Sequence, residues 1–226
     1  MILDTHRQRI LSETRWAGLA GNEKAIRTVR ALVEDAARTG DPLVLFLAGK
    51  SGIGKSLTAA LAAQEYGVDT KWVLHTIASG DCNKPRLRKV SDDWGLTPYM
   101  GRGHGLLIEE LDTATDDALG YLLSMTEGMP KWRIVICTTN LTELQFCALP
   151  HGSALHRRGH FIAYTTEGLA ERKGKPGPGA ELVRAVLHDA GLDGHDAQYY
   201  VRFVREAHGN LGDAILRAQR AALATD

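Results

Sequence analysis

A glycine-rich loop is the part of this sequence whose residue types and spacing best fit a definite chemistry. It reads Gly-Lys-Ser-Gly-Ile-Gly-Lys-Ser at positions 49–56, directly after an apolar run at 43–48. Glycines allow consecutive backbone N–H groups to converge on phosphate oxygens, and a helix behind the loop directs its positive end at them. The pattern therefore predicts a site for a nucleoside triphosphate, ATP, together with Mg²⁺. A glycine-rich turn without a ligand is the alternative interpretation.

The positions of this loop have separate predicted roles. Lys55 would reach the β and γ phosphates, and the hydroxyl of Ser56 would hold the magnesium ion. The residues of this segment that we expect to contact the nucleotide are Gly49, Ser51, Gly52, Ile53, Gly54, Lys55, Ser56 and Leu57.

Two acidic residues, Glu109 and Glu110, follow a second apolar run at 105–108. Ligands meet open α/β sheets at the ends of strands, so acids at this place are candidates for chemistry. By position, Glu109 would organise the magnesium shell, and Glu110 would accept a proton from, or orient, an attacking water. A solvated loop edge is the alternative interpretation of these acids.

A third apolar run, at 134–137, ends in Thr138, Thr139 and Asn140. These polar side chains are expected at the same edge of the sheet. The amide of Asn140 would there hold the attacking water or sense the γ phosphate, and a helix or turn cap is the alternative role.

Two arginines, Arg157 and Arg158, precede an apolar run at 160–164. An arginine supplied across a subunit boundary can neutralise charge that develops on a transferred phosphoryl group. A solvated surface pair is the alternative interpretation.

The elements that must position these residues alternate between apolar runs and helical patterns. Apolar runs lie at 43–48, 72–74, 105–108, 132–137 and 160–164, and helical patterns lie at 25–36, 56–66, 84–94 and 115–127. Such alternation predicts an α/β fold, a parallel sheet with helices on both faces. The Pro, Gly and charged residues at 171–179 predict a linker. Helical patterns at 180–191, 195–208 and 211–224 then predict a small all-helical lid, which gives a core of residues 1–168 and a lid of residues 169–226.

The overall composition limits the partners of the protein. Lys plus Arg and Asp plus Glu both number 27, so nucleic acid could be contacted only through a local basic patch. Residues 84–89 form such a patch, with four cations in six residues, although a solvated basic face is the alternative. The three cysteines lack metal-site spacing and fit structural roles in a reducing compartment. No apolar stretch reaches the ~18 residues of a membrane helix, so we expect a cytoplasmic protein.

Together, the phosphate loop, the apolar run with two acids, the Thr-Thr-Asn end, the arginine before the last run and the helical lid resemble an AAA+ ATPase. Within that superfamily the sequence most resembles the small subunits of sliding-clamp loaders, the replication factor C type and its bacterial relatives. The segment 18–23 resembles the part of the family that packs near adenine, which implies a nucleotide contact at Gly21. Arg158 falls at the position of the family's trans-acting arginine, with Gly159 in place of the usual cysteine.

Two departures from the family pattern affect the expected activity. Glu109 stands where the family usually has Asp, which moves the carboxylate outward by one methylene and predicts slow hydrolysis. The segment 209–214 resembles the part of the lid that carries the second sensor, but Gly212 replaces its arginine. A cation is therefore missing from the γ-phosphate side unless Arg217 or another residue of the lid supplies it.

The resemblance implies an ATP-binding and ATP-hydrolysing switch of the clamp-loader type that acts on DNA or a DNA-bound partner. It implies a homo- or hetero-oligomer of AAA+ subunits, with a sliding clamp or another replication or recombination protein as partner. The alternative is a nucleotide-dependent adaptor with little hydrolysis that recruits another DNA-processing protein. A noncatalytic scaffold is disfavoured because Lys55, Ser56 and Glu110 are all present.

Overall fold

The computed structural model describes residues 2–98 and 100–224. Its main feature is a five-stranded parallel sheet with the strand order β2-β3-β4-β1-β5. The strands are β1 Leu43–Ala48, β2 Leu74–Ile77, β3 His104–Ile108, β4 Arg133–Thr139 and β5 His160–Ala163. The sheet is flanked by helices, which confirms the predicted fold class.

The three central strands explain why the apolar runs predicted this sheet. Every residue of β1, β3 and β4 is buried, as expected for strands that are covered on both faces. Ala48 of β1 is in register with Thr139 of β4, and Ile108 of β3 is in register with Cys137 of β4. The carboxyl ends of these strands therefore meet at one edge of the sheet.

The helices of the described residues extend over most of the predicted helical patterns. They are α1 Ile2–Arg9, α2 Glu23–Thr39, α3 Lys55–Tyr66, α4 Lys84–Asp93, α5 Asp116–Glu127, α6 Glu143–Cys147, α7 Gly152–His156, α8 Pro178–Asp189, α9 Ala197–Glu206 and α10 Leu211–Leu223. Side-chain oxygens of Asn83, Thr115, Thr142, Asp196 and Asn210 cap the starts of α4, α5, α6, α9 and α10, because they accept bonds from backbone N–H groups of the first turn. None of the helices among these residues is long and apolar enough to cross a membrane.

The chain forms two compact units. The sheet unit contains Lys24–Gly49 and Thr58–Ala163. The lid unit contains the residues up to Glu23, the loop segment Lys50–Leu57 and the residues from Tyr164 onward. The predicted division of the chain after residue 168 stays a prediction.

The stretch that was predicted to be a linker contains a short hairpin instead. Strands β6 Glu171–Arg172 and β7 Lys175–Pro176 pair antiparallel. Lys173 and Gly174 connect them with φ values of 53° and 74°, and positive φ at both central residues suits a two-residue hairpin turn. Pro and Gly here mark a turn inside the lid unit rather than a flexible connection.

Helices α8, α9 and α10 pack against one another within the lid unit. Each buries an apolar face that includes Val183 and Leu187 of α8, Tyr200 and Val204 of α9, and Ile215 of α10. Helix α1, which the sequence did not predict, also contacts α10. These contacts are consistent with the helical lid that the sequence predicted.

Candidate functional site

Two glycines of the glycine-rich loop have a left-handed backbone conformation. Gly52 and Gly54 have φ values of 76° and 95°, a region that residues with a side chain rarely adopt. A Cβ on Gly54 would meet no atom within 4 Å, so glycine is required there by backbone conformation rather than by space. Helix α3 begins at Lys55, immediately behind the loop. The order of strand, loop and helix is the one that a phosphate loop needs.

Lys55 turns back over the loop that precedes it. Its Nζ donates a hydrogen bond to the carbonyl oxygen of Lys50 at 2.8 Å, and only 7% of the residue is exposed. Burying an ammonium group is costly unless its charge is compensated. The positive charge of Lys55 thus lies against the loop, where it would attract an anionic ligand.

The other predicted contacts in the loop differ in exposure. Ser51 and Ser56 are exposed, Leu57 is half-buried, and Ile53 is buried with 3% of its surface exposed. Ile53 is thus the loop residue that packs into the interior, whereas Ser56 lies at the surface.

The edge of the sheet brings the two predicted acids to the end of β3. Glu109 N donates to Ile77 O at 2.9 Å, and Glu110 N donates to Thr138 Oγ1 at 3.1 Å. Glu110 has a left-handed backbone with φ 52° and ψ 60°, and its carbonyl accepts a bond from Thr113 Oγ1. Non-glycine residues persist in this conformation only when their surroundings hold them, and they are concentrated at functional sites.

Asp112 lies at the same edge and joins the ends of β3 and β4. Its Oδ1 accepts hydrogen bonds from Thr139 Oγ1 at 2.8 Å and from Asn140 N at 3.1 Å. Sequence reasoning gave Asp112 no role, although it belongs to the acidic group after β3. Its place in that acidic group was the signal in the sequence that could have identified it.

Asn140 is exposed at the end of β4. The alternative role as a helix cap belongs to Thr142, whose side chain accepts from Gln145 N while the Gln145 side chain accepts from Thr142 N. This reciprocal capping box starts α6 without Asn140. The Asn140 side chain is therefore not required for that helix.

Arg158 forms an ion pair within its own chain. Its guanidinium donates to Glu127 Oε1 at 2.8 Å, and the two side chains are 43% and 51% exposed. The neighbouring Arg157 is also exposed. Glu127 is the last residue of α5, so the ion pair joins Arg158 to the end of that helix.

Gly21 lies in the lid unit and is buried. Its φ of 71° favours glycine, and a Cβ there would lie 2.3 Å from Leu169 Cδ2, so that side chain would have to shift. In the next residue, Asn22, the side-chain Oδ1 accepts from Thr165 N at 2.8 Å, and the buried Nδ2 has no hydrogen-bond partner.

The start of α10 contains Gly212, where the resemblance placed a second sensor. Arg217 was the candidate to replace the missing cation. Its Nε donates to Asp213 Oδ2 at 2.8 Å, one helical turn away. The Arg217 guanidinium is therefore already ion-paired with another residue of α10.

The thiols of Cys82 and Cys137 are buried in the core of the sheet unit. Burial raises the pKa of Cys82 to about 11 and raises the pKa of Cys137 well above its ordinary value. Both thiols are therefore protonated at neutral pH, which fits the structural role that the sequence predicted. Across residues 2–98 and 100–224, no group of three His, Cys, Asp or Glu side chains could hold a metal ion.

Comparison with solved structures finds chains that have the same fold as this protein. RuvB of Thermotoga maritima, described as a Holliday junction branch migration motor, matches with a TM-score of 0.65 and 19% identity. Two point-substituted forms of that protein match with TM-scores of 0.67 and 0.68, at 17% and 18% identity. The fold is the AAA+ fold. Each match covers 93% of this chain and 65% of the RuvB chain.

This chain therefore spans less than two thirds of the RuvB chains that share its AAA+ fold. No protein-family model and no curated protein sequence matches it. At this identity the AAA+ likeness concerns the fold, and the roles of individual residues rest on their own geometry.

Proposed function

We propose that this chain is an AAA+ ATPase that binds ATP with Mg²⁺ and hydrolyses it slowly. One observation carries the proposal: a loop with left-handed glycines lies between β1 and α3 and holds the buried ammonium group of Lys55 against its own backbone. Backbone amides and a fixed cation at the start of a helix suit a polyphosphate.

The predicted roles of the other residues are part of this proposal. The loop contacts are Gly49 and the residues 51–57, with Gly21 on the adenine side. Ser56, an exposed residue, would hold Mg²⁺ through its hydroxyl, and the ion would there supply neutralisation of charge on the phosphates. Glu109 is the acid of the metal shell, Glu110 orients or deprotonates the attacking water, and Asn140 holds that water or senses the γ phosphate.

The active form in this proposal is an oligomer in which Arg158 acts on the nucleotide of a neighbouring subunit. The exposed position of its guanidinium supports this role, because only a surface group can reach across a subunit boundary. The Glu127 ion pair is exposed and therefore weak, so assembly can replace it at little cost.

DNA is the proposed partner of the assembly. The solvent-facing side of α4 carries Lys84, Arg86, Arg88 and Lys89, whereas Leu87 and Val90 are buried on the opposite side. Cations on one face of a helix suit phosphate contacts. The DNA-related description of RuvB supports the same partner. In its finer form, the proposal is a switch of the clamp-loader type with a sliding clamp or another replication or recombination protein as partner.

ATPase measurements with and without primed DNA test this proposal. Lys55→Ala should weaken ATP binding about tenfold or more, because a charge-assisted contact is lost. Lys50→Ala is the matched control, since it removes a lysine of the same loop but keeps the carbonyl that accepts from Lys55. If both variants bind ATP like the unchanged protein, the nucleotide site is wrong.

The intersubunit role has its own variant pair. Arg158→Ala should lower turnover by about a hundredfold or more while a single subunit still binds ATP. Arg157→Ala, which changes the adjacent exposed arginine, should have little effect. An unchanged rate and an unchanged oligomer with Arg158→Ala would contradict the trans-acting role.

A nucleotide-dependent adaptor with little hydrolysis is the second candidate function. Gly212 favours it, because no cation stands at the second-sensor position and Arg217 is paired with Asp213. The adaptor predicts nucleotide-dependent assembly that persists in Glu110→Gln and very low turnover in the unchanged protein. Efficient DNA-stimulated turnover would exclude it.

A further inference from the structure

The glycine-rich loop is hydrogen-bonded to the first residue of α10. Leu211 N donates to Gly52 O at 2.9 Å, and both residues belong to the lid unit. Asn210 precedes Leu211 and caps α10, because its Oδ1 accepts from Asp213 N at 3.0 Å. The loop and the start of α10 are therefore in direct contact.

The contact is close enough to require glycine in the loop. A Cβ on Gly52 would lie 2.0 Å from Asn210 Oδ1. No real Cβ makes such a contact, so a side chain at position 52 would displace either the loop or the cap of α10. The need for glycine at this position has two sources: its φ of 76° and the approach of Asn210.

The hydrogen bond also has a consequence for the next amide of the loop. In a trans peptide, C=O and N–H point in opposite directions within one plane, and the described residues contain no cis peptide bond. Because the carbonyl of Gly52 points at Leu211 N, the N–H of Ile53 points away from the start of α10. The bond thus fixes the direction of one of the amides that the loop offers to a ligand.

The hydrogen bond stabilises both the loop and the start of α10. Leu211 is the first residue of α10, and N–H groups at that position lack a partner within their helix. Asn210 satisfies the amide of Asp213, and the carbonyl of Gly52 satisfies the amide of Leu211. The loop completes the cap of α10, and α10 orients the loop.

We propose that the Leu211 N–H, held in place by the Asn210 cap, is the group through which α10 positions the phosphate loop for its ligand. This inference rests on the proposed nucleotide site. Gly212 has no side chain that could contact the loop from the start of α10. In this proposal the backbone N–H of Leu211 makes the contact with the loop. Loop amides of this kind cradle the α and β phosphates, so the contact supports ATP and ADP binding alike.

Leu211→Pro tests the inference because proline lacks the N–H. Proline is well tolerated at the first position of a helix, and Asn210 has an extended backbone, with ψ 102°, rather than the helical one that a following proline disfavours. The buried Leu211 side chain is lost as well, so Leu211→Ala, which keeps the N–H, is the matched control. Dissociation constants for Mg-ATP and Mg-ADP are measured by calorimetry, at a temperature where thermal unfolding shows both variants folded.

We expect Leu211→Pro to bind both ATP and ADP about fivefold more weakly than Leu211→Ala, as suits the loss of one backbone hydrogen bond. Equal affinities of the two variants overturn the inference. So does a loss confined to ATP, because it would indicate a contact with the γ phosphate. If the unchanged protein binds neither nucleotide, the proposed function itself is wrong, which is a different outcome.

Hydrogen exchange in the unchanged protein provides a second measurement that needs no substitution. The amide of Leu211 should be protected, and ADP should slow its exchange further. The amide of Gln198, an exposed residue in the first turn of α9, is the internal reference and should not respond to ADP. Rapid exchange at Leu211 that ADP leaves unchanged overturns the inference even if Leu211→Pro does not fold.

Discussion

At the scale of single residues, the candidate catalytic residues at the sheet edge are held by hydrogen bonds from neighbouring side chains to their backbone groups. Glu110 keeps a left-handed backbone because Thr138 and Thr113 bond its N–H and its carbonyl. Asp112 likewise holds Asn140, because its carboxylate accepts a hydrogen bond from the Asn140 backbone N–H. The candidate catalytic groups are thus held by neighbours that have no proposed contact with the nucleotide.

Asp112→Ala tests this arrangement. It removes the acceptor of two hydrogen bonds, so we expect a loss of about 2 kcal/mol in the free energy of unfolding. Because Asn140 would shift, turnover should fall about tenfold while ATP affinity is retained. Urea unfolding and ATPase assays measure the two effects, with Asp92→Ala on the exposed face of α4 as control. Unchanged turnover would show that Asp112 does not position Asn140.

At the scale of elements, the segment after α4 is attached to the starts of β3 and β4. His104 and Arg133 are opposite each other in the sheet and are both buried. His104 Nε2 bonds to Leu96 O at 3.0 Å, and the Arg133 guanidinium donates to Trp94 O. The basic helix α4 is therefore connected to the core through two buried polar side chains.

This connection predicts a pH dependence of stability. Burial lowers the pKa of His104, the bond to Leu96 O opposes that shift, and the nearby Arg133 adds to it. Its Nδ1 is buried without a hydrogen-bond partner, so a proton there would have no acceptor. The unfolded chain consequently binds more protons than the folded protein between the lowered pKa and 6.5. The free energy of unfolding should be fully retained above pH 6.5 and should decrease as the pH falls below it.

Urea unfolding at pH 7.5 and pH 5.5 measures this decrease. His104→Gln removes the titrating group and should make the free energy of unfolding less dependent on pH. Some dependence should persist, because burial also lowers the pKa of His6. If His104→Gln and the unchanged protein lose the same free energy between the two pH values, His104 is not the group responsible.

At the scale of the whole molecule, the equal numbers of acidic and basic residues make any DNA contact a local property. The exposed cations of α4 are the proposed contact, and Arg86 is already paired with Asp81 at 3.3 Å. Arg88 and Lys89 are therefore better placed to release counterions from a phosphate backbone.

Arg88→Ala combined with Lys89→Ala should weaken binding to primed DNA. The slope of log K against log salt concentration should become about 2 less steep. Binding titrations at several salt concentrations measure this slope. Lys24→Ala combined with Arg27→Ala removes two exposed cations from α2 and should leave the slope unchanged. Equal slopes in all three proteins would exclude α4 as the DNA contact.

The apolar runs predicted β1, β3 and β4 well because strands covered on both faces must be apolar throughout. The edge strand β2 was less predictable. Its run was placed at 72–74, whereas the strand is Leu74–Ile77, of which only Ile77 is buried. An edge strand pairs on one side only, so its position is decided by β3 rather than by its own pattern.

The sequence by itself determined the phosphate-loop signature and the parallel fold, because both follow from local glycine spacing and from runs of apolar residues. Tertiary structure decided which groups support the loop and the sheet edge. The bond from Leu211 to Gly52 and the bonds from Asp112 to β4 join residues that are far apart in the chain. No local pattern encodes such pairs, since each partner looks like an ordinary helix start or turn until the chain has folded.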